Sequence, residues 1–223
     1  KNVTSKAVET MAPVDMGDYR NLVEFVRWGV QNYPAKHYFI AVWNHGAGWH
    51  LENVRGLGDV QVQDISYDDN TGHHISTEEL GLSMAQAAQI IGHKVDVYGS
   101  DACLMAMAEV AGEMKDSVSY FVGSEETEPG YGWPYNTFFT RFAANTAATP
   151  ADVSIYLTEE YLKAYNGGIY GKQDVTFSAY DMSKFQAVMS STKALSATLA
   201  SLAPADISKA KTAANSTQSY AYD

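Results

Sequence analysis

Two residues able to carry out nucleophilic catalysis, a cysteine and a histidine, each follow an apolar stretch of this sequence. Cys103 is the single cysteine among 223 residues, and it ends the run 95–103, which is typical of a buried strand that breaks into a turn. His45 follows a second apolar run, residues 37–44. Ligands of open α/β sheets bind beyond the carboxyl ends of the strands, so Cys103 and His45 should meet there if the strands are parallel neighbours. That arrangement suits a cysteine nucleophile and its base.

The chemistry expected at Cys103 depends on where the next helix begins. A thiol with an ordinary pKa of about 8.5 is mostly protonated at neutral pH, and the thiolate is the nucleophile. We expect a helix from about Ala102 to Lys115, whose positive end favours the thiolate and leaves the Cys103 N–H free to donate to an oxyanion. Gly46 could bring a second N–H close, and His45 would protonate the leaving amine. The alternative is that Cys103 is a small buried apolar residue.

The composition excludes several classes of protein. A lone cysteine forms no intrachain disulfide and cannot build a cysteine-rich zinc site. The formal net charge of −11 argues against a nucleic-acid partner. No apolar stretch approaches the ~20 residues of a membrane-spanning helix, and residues 1–5 do not form a signal peptide. The chain is long enough to bury a sizeable core without a metal or disulfide.

The apolar stretches, capping residues and breakers together predict an α/β fold with helices on both faces of the sheet. The clearest helix signal is Ser76-Thr77-Glu78-Glu79, a capping box that opens a helix stopped by Gly92. Residues 46–74, rich in Gly, Asp and Asn, should form a long functional loop. The predicted strands are residues 6–12, 37–44, 94–99, 118–123 and 175–180. The predicted helices are residues 19–33, 76–91, 102–115, 151–165, 183–202 and 205–219.

Short motifs occur in a fixed order between residues 14 and 140. They are Asp15-Met16-Gly17-Asp18, Asn32-Tyr33-Pro34-Ala35, Trp43-Asn44-His45-Gly46-Ala47-Gly48-Trp49, Asp101-Ala102-Cys103-Leu104-Met105, and Ser124-Glu125-Glu126 with Gly130-Tyr131-Gly132-Trp133-Pro134-Tyr135. In this order and context they resemble the clostripain family of caspase-like (clan CD) cysteine peptidases. The resemblance implies a caspase-like three-layer α/β sandwich with a mostly parallel sheet. It also implies a catalytic dyad of His45 as acid/base and Cys103 as nucleophile, with no cofactor required for the chemistry.

The resemblance further implies a cysteine endopeptidase that cleaves after Arg or Lys. Asp101 matches the acidic position at the base of the specificity pocket, and a partly buried carboxylate pairs well with a guanidinium. The alternative is that Asp101 caps the helix that follows it. Further candidates for the pocket are Glu125, Glu126, Glu128, Trp133 and Tyr131. The alternative for the three glutamates is a solvated loop. The alternative for Trp133 and Tyr131 is packing on a neighbouring helix.

The resemblance also implies that the chain is cleaved and that further segments complete its fold. Family members carry further strands before the Asp15–Asp18 segment, so we expect a second chain or a missing segment to complete the sheet. Residues 1–203 should form the peptidase domain, and residues 204–223 a carboxyl-terminal helical extension. Internal cleavage after a basic residue is a family property, and Arg55 is the candidate here. We expect protein or peptide substrates with basic residues, a secreted or cell-surface bacterial setting, and neither nucleic acid nor membrane as a partner.

Oxygen ligands gather in the long loop at Asp64, Asp68, Asp69 and Asn70. The spacing that starts at Asp68 is similar to an EF-hand loop, but His73 stands where that loop needs glycine. We therefore expect no EF-hand. Calcium dependence is implied by some relatives only.

Two other classes of function stay open from the sequence. One is a non-catalytic binding module, which includes an inactive peptidase relative on the same fold. The other is an amidase or transpeptidase that uses the same dyad on different acyl groups.

Overall fold

A four-stranded sheet lies at the centre of the computed structural model, which describes residues 6–49 and 65–217. In spatial order its strands are β1 (Phe39–Trp43), β2 (Val95–Asp101), β3 (Val118–Gly123) and β6 (Ser178–Asp181). The first three run parallel, and β6 is antiparallel to β3. A separate two-stranded hairpin is formed by β4 (Asn166–Gly168) and β5 (Gly171–Lys172). The mostly parallel sheet confirms the predicted α/β class.

Helices supply the long crossovers that parallel strands need. They are α1 (Tyr19–Asn32), α2 (Thr77–Ile91), α3 (Ala108–Met114), α4 (Tyr135–Ala143), α5 (Pro150–Tyr165), α6 (Phe185–Ala200) and α7 (Pro204–Ala214). The capping box of Ser76 and Glu79 opens α2 as predicted, and Gly92 ends it in the left-handed conformation at φ 87°. A second capping box, of Thr149 and Asp152, opens α5.

The sheet is covered on both faces because alternate residues of each strand point in opposite directions. Tyr98 and Phe121 face a core that includes residues of α1, α2 and α3. Val97 and Val122 face a second core formed largely by α4 and α5. Helices therefore lie on both sides of the sheet, which makes three layers. In contrast, α6 and α7 contain no buried residue.

Several predicted elements were wrong in position or type. Residues 6–12 form no strand. The helix expected from Ala102 begins six residues later, at Ala108. The strand predicted at 175–180 is Ser178–Asp181 and pairs antiparallel, a direction that its apolar alternation does not encode. The helix α4 was not predicted. Its N-cap residue is Pro134, which makes no side-chain capping hydrogen bond.

Long apolar helices are missing from the part of the chain that the structure describes, so none of its helices could cross a membrane.

Candidate active site

The carboxyl ends of β1 and β2 lie side by side, and they carry the two predicted catalytic residues. The parallel register pairs Trp43 with Asp101, and His45 and Cys103 each come two residues later. Gly46 packs so closely on this segment that a Cβ atom there would overlap the Cys103 carbonyl oxygen. The same Cβ would lie 2.9 Å from Cγ of Met105. The structure therefore brings the two segments together, as expected for neighbouring parallel strands.

The loop after Cys103 is held by unusual backbone conformations. Leu104 has φ 63°, a left-handed conformation that is rare for a residue with a side chain. Gly48, at φ 68°, approaches it from the β1 side, and a Cβ there would lie 2.8 Å from the Leu104 carbonyl oxygen. The two loops fit together only because Gly48 has no side chain.

This loop corrects the expectation that Cys103 begins a helix. The N-cap of α3 is Met107, four residues after the thiol, so the positive end of a helix does not act on Cys103. The same observation makes the helix-capping interpretation of Asp101 wrong. A left-handed residue at position 104 interrupts the helix that the apolar spacing predicts.

The Cys103 thiol is half-buried and contacts a donor from another loop. The backbone N–H of Glu128 donates to Sγ over 3.2 Å, and the Glu128 carbonyl oxygen lies 4.0 Å from the same sulfur. The backbone N–H of Cys103 makes no hydrogen bond to another residue in the described part of the chain. The sulfur is thus partly accessible, and one donor is already directed at it.

Asn44 fixes the backbone around His45. Its Oδ1 accepts the His45 N–H at 2.7 Å and the Tyr67 N–H at 3.2 Å, and its own N–H donates to the Asp101 carbonyl at 3.3 Å. These bonds hold the end of β1 against β2 and against the loop that returns at Tyr67. The His45 residue itself is exposed. The sequence offered no signal for this role of Asn44 beyond its position beside the histidine.

Asp101 is the buried acid of the site, with 3% of its surface exposed. The Tyr135 hydroxyl donates to its Oδ2 over 2.6 Å, and the Trp133 backbone N–H lies 3.5 Å from the same oxygen. Gly132, at φ 60°, allows this close approach, since a Cβ there would lie 3.0 Å from Asp101 Oδ1. Burial raises the pKa of Asp101, while the hydrogen bond from Tyr135 acts to lower it.

Glu128 joins Asp101 in what we call the acid pocket, formed by Asp101, Glu128, Trp133 and Tyr135. Burial above all, and after it the neighbouring Asp101, raise the pKa of Glu128. Its Oε1 lies 3.5 Å from the indole Nε1 of Trp133. Its Oε2 is buried and makes no hydrogen bond of ordinary geometry within the described residues. The acid pocket therefore presents two carboxyl groups and no basic side chain.

A model of the Clostripain family matches residues 1–222. The chain belongs to the clostripain family. The sequence is 30% identical to Clostripain of Hathewaya histolytica over 145 residues, which cover 62% of this chain and 27% of that protein. The family assignment made from the motifs is therefore confirmed.

Solved structures support the same fold for this clostripain-family chain. A secreted C11 cysteine protease from Bacteroides thetaiotaomicron, in complex with an irreversible peptide inhibitor, superposes with a TM-score of 0.62 at 22% identity, covering 78% of this chain and 48% of that one. An inactive zymogen C11 protease from Parabacteroides distasonis gives a TM-score of 0.59 at 21% identity, covering 80% and 44%. The predicted caspase-like sandwich is confirmed. This chain spans about half the length of those structures.

The other predicted pocket residues of this clostripain-family chain have different positions. Trp133 is 2% exposed and packs on Phe39 and Phe177, so it is a buried wall of the acid pocket. Glu125 accepts the Tyr180 hydroxyl at 2.8 Å instead of contacting Asp101.

Two further candidates belong to the loop around the acid pocket. The Glu126 backbone N–H donates to Ser124 and Thr176, which ties the loop to the chain that leads into β6. Tyr131 is 68% exposed and stacks on Tyr170. Glu128, which had only been one of three loop acids, is the one that joins Asp101.

In the described part of the oxygen-rich loop, the acidic side chain of Asp68 is engaged by the protein itself. The Asp68 carboxylate accepts backbone N–H groups of Met16, Asn70 and Thr71, and Glu79 is used by the capping box of α2. Among the described residues no group of three or more His, Cys, Asp or Glu could hold a metal ion. Asp64 and Arg55 lie outside the described residues.

Proposed function

We propose that this chain carries the catalytic site of a cysteine endopeptidase that hydrolyses peptide bonds after Arg or Lys. Cys103 is the nucleophile and His45 the general acid/base. The observation that carries the proposal is the β1–β2 register, which sets both residues at one edge of the sheet with Asp101 buried two residues before the nucleophile. Membership of the clostripain family supports it.

The proposed reaction is acyl transfer in two halves. The Cys103 thiolate attacks the carbonyl carbon, and the carbonyl oxygen takes up the negative charge. The N–H groups of Cys103 and Gly46 donate to that oxyanion. The intermediate then collapses, the peptide C–N bond breaks, and the His45 imidazolium protonates the leaving amine. In the second half, neutral His45 takes a proton from water as it attacks the thioester, and the thiolate is released.

The acid pocket accounts for the proposed preference for basic side chains. A guanidinium or ammonium that enters it would meet two carboxyl groups in a poorly solvated environment. Charge-assisted hydrogen bonds are strong there, and an arginine can engage a carboxylate with two parallel N–H donors. The Tyr131 and Tyr170 rings, stacked with centroids 5.0 Å apart, lie on the loop and hairpin beside the pocket.

We also propose that further chain completes the sheet. β1 is an edge strand among the described residues, and Trp43 on it is 73% exposed. An edge strand presents unpaired backbone N–H and C=O groups to which another strand can bond, so an open edge with an exposed tryptophan favours a missing segment or a second polypeptide. Within this proposal residues 1–203 are the peptidase domain, and residues 204–223 an extension that begins with α7.

The proposed setting of the enzyme draws on its relatives. A secreted family relative from Bacteroides thetaiotaomicron supports a secreted or cell-surface bacterial peptidase whose substrates are proteins or peptides. Autoprocessing at Arg55 and a calcium requirement stay predictions. Amino-terminal sequencing of the purified protein, compared with Arg55→Ala, tests the first.

Covalent labelling tests the central claim. The full-length protein is treated with an arginyl chloromethyl ketone, and the modified peptide is identified by mass spectrometry. We expect modification of Cys103 and loss of turnover of Arg- and Lys-ended amide reporters, with no turnover of Gln- or Asp-ended ones. Cys103→Ala should be unlabelled and inactive. A protein that labels elsewhere, or cleaves without Cys103, would contradict the proposal. Failure to label or cleave at all would favour a binding module.

Asp101→Asn tests the pocket. An unpaired buried guanidinium is costly, so cleavage after Arg should weaken by about 2 kcal/mol or more, roughly thirtyfold in kcat/KM. Reporters ending in Ala should lose much less. Equal losses on Arg and Ala reporters would mean that Asp101 acts on the fold and not on specificity.

A further inference from the structure

The acid pocket holds two carboxyl groups without a cation to balance them. Neither Asp101 nor Glu128 forms an ion pair with a basic side chain in the described ranges. The uncharged or weakly acidic groups that face them are the Cys103 thiol from the loop after β2, the Trp133 indole, Tyr135 from α4, and Tyr161 and Tyr165 from α5. The pocket is therefore built for positive charge and contains none of its own.

Two neighbouring carboxyl groups in such a place do not both ionise. Each negative charge would be poorly solvated and would repel the other, as in paired-carboxyl sites where two acids share one proton. Asp101 has the better donors, from the Tyr135 hydroxyl and the Trp133 N–H. Glu128 has a buried Oε2 that receives no hydrogen bond of ordinary geometry from the described residues, so a negative charge on it would be poorly stabilised and the neutral acid is favoured.

We propose that Asp101 and Glu128 form one binding unit that keeps a shared proton while the pocket is empty and releases it when a basic substrate side chain enters. Glu128 is then a second specificity-determining residue. This inference rests on the proposed function. The exchange is balanced: the side chain arrives with its positive charge, one proton leaves to solvent, and the pocket changes from one negative charge to two.

The proposal predicts a linkage between pH and recognition. Below the pKa of the shared proton, each rise of one pH unit should strengthen binding of a cation about tenfold, because one proton is released per cation bound. A neutral side chain of the same shape, as in citrulline, releases no proton and should show no such dependence. Discrimination between Arg and citrulline reporters should therefore grow with pH in the range where Cys103 and His45 are equally active towards both.

The experiment measures proton release directly. The full-length protein is titrated with agmatine, which carries the arginine side chain, by calorimetry at one pH in two buffers of different ionisation enthalpy. The wild type should release about one proton per agmatine. Glu128→Gln keeps the size of the side chain and the backbone N–H to the thiol but removes the shared proton, so it should release none and bind with little pH dependence. Glu125→Gln, a matched change in the same loop, should behave as the wild type.

Three results would overturn the inference: a wild type that binds agmatine without releasing a proton, a Glu128→Gln protein that still releases one, or a Glu125→Gln protein that loses it. If Glu128→Gln fails to fold, as judged by thermal unfolding and by Cys103 alkylation, Glu128→Ala replaces it, since it also removes the carboxyl group, and should likewise abolish proton release. A wild type that does not cleave Arg or Lys reporters contradicts the proposed function itself. Cleavage without proton release contradicts only the shared proton.

Discussion

Two regions of the molecule treat carboxyl groups differently: the acid pocket buries them, and a junction near the amino terminus pairs one of them with a cation. The junction is the contact of residues 15–18 with the loop of residues 66–74. There Asp15 pairs with His73, and this lowers the pKa of Asp15 and raises that of His73. In the acid pocket no described basic side chain pairs with the acids, and burial raises the pKa of both. The junction thus pairs its carboxyl group with a cation of the protein, whereas the described residues provide no such cation for the acids of the pocket.

The loops around Cys103, beside the acid pocket, and those of the junction each depend on a glycine at which two loops cross. Gly46 packs against the Cys103 carbonyl, and Gly17 packs against the backbone of His73 and His74. The junction is further tied by the Met16 N–H, which donates to Asp68 over 2.9 Å. Similar packing therefore serves a candidate catalytic site in one region and the anchoring of a loop in the other. Substitutions at these positions should separate loss of activity from loss of stability.

Gly46→Ala should give the largest effect. The added Cβ overlaps the Cys103 carbonyl and crowds Met105, so the loops must separate. Misplacement of reacting groups by about 1 Å can cost about a hundredfold in rate, and we expect a loss of that order in kcat/KM on Arg reporters. Gly112→Ala in α3 is the matched control, since its Cβ would meet only Phe185 at 3.5 Å. A fully active Gly46→Ala protein would show that the two loops do not pack as described.

Gly17→Ala should act on stability instead. Its Cβ would overlap the backbone of His73, which cannot move aside as a flexible side chain could. Overpacking of this kind costs about 1–3 kcal/mol, measured as the change in free energy of unfolding by denaturant. Gly29→Ala, with nothing within 4 Å of its Cβ, should not destabilise the protein. If Gly17→Ala lost cleavage at full stability, the junction would belong to the active site.

Tyr135→Phe sharpens the description of the acid pocket. The hydroxyl donates to Asp101 over 2.6 Å and acts to lower the pKa of that acid, so its removal should raise it further. Cleavage after Arg should then require a higher pH, with roughly a tenfold loss at the acidic end of the profile, from a hydrogen bond of about 1.5 kcal/mol. Tyr156→Phe removes a hydroxyl that bonds Asn145 on the surface and should leave the profile unchanged. An unshifted profile for Tyr135→Phe would contradict the assigned role of Asp101.

The sequence indicated that His45 and Cys103 each follow the end of a strand, because apolar runs and turn residues mark strand ends. The structure supplied the condition that the two strands are parallel neighbours. The α2 helix was predicted for the same local reason, its capping box at Ser76. The helix start after Cys103 was missed because Leu104 is left-handed in the folded loop, and its side chain gives no hint of that.

Glu128 shows the limit of sequence patterns in this chain. Three glutamates follow β3 between residues 125 and 128, and no periodicity applies in a loop, so their side-chain directions could not be assigned. Gly132, with φ 60°, turns the loop so that Trp133 and Glu128 meet Asp101, while Glu125 meets Tyr180. The acid pocket depends on that tertiary contact.

His73→Ala should have the smallest effect, and the effect should depend on pH. The raised pKa of His73 means that its contribution to stability is present below 6.5 and is lost as the pH rises through its folded value. The lowered pKa of Asp15 means that its contribution is present above 3.8 and is lost as the pH falls through its folded value. Thermal unfolding of His73→Ala and wild type should therefore differ most between these two pH values and converge once the pH exceeds the folded pKa of His73. Because the pair is exposed, salt should shrink the difference. A difference of the same size at every alkaline pH would mean that His73 stabilises the junction by packing and not by charge.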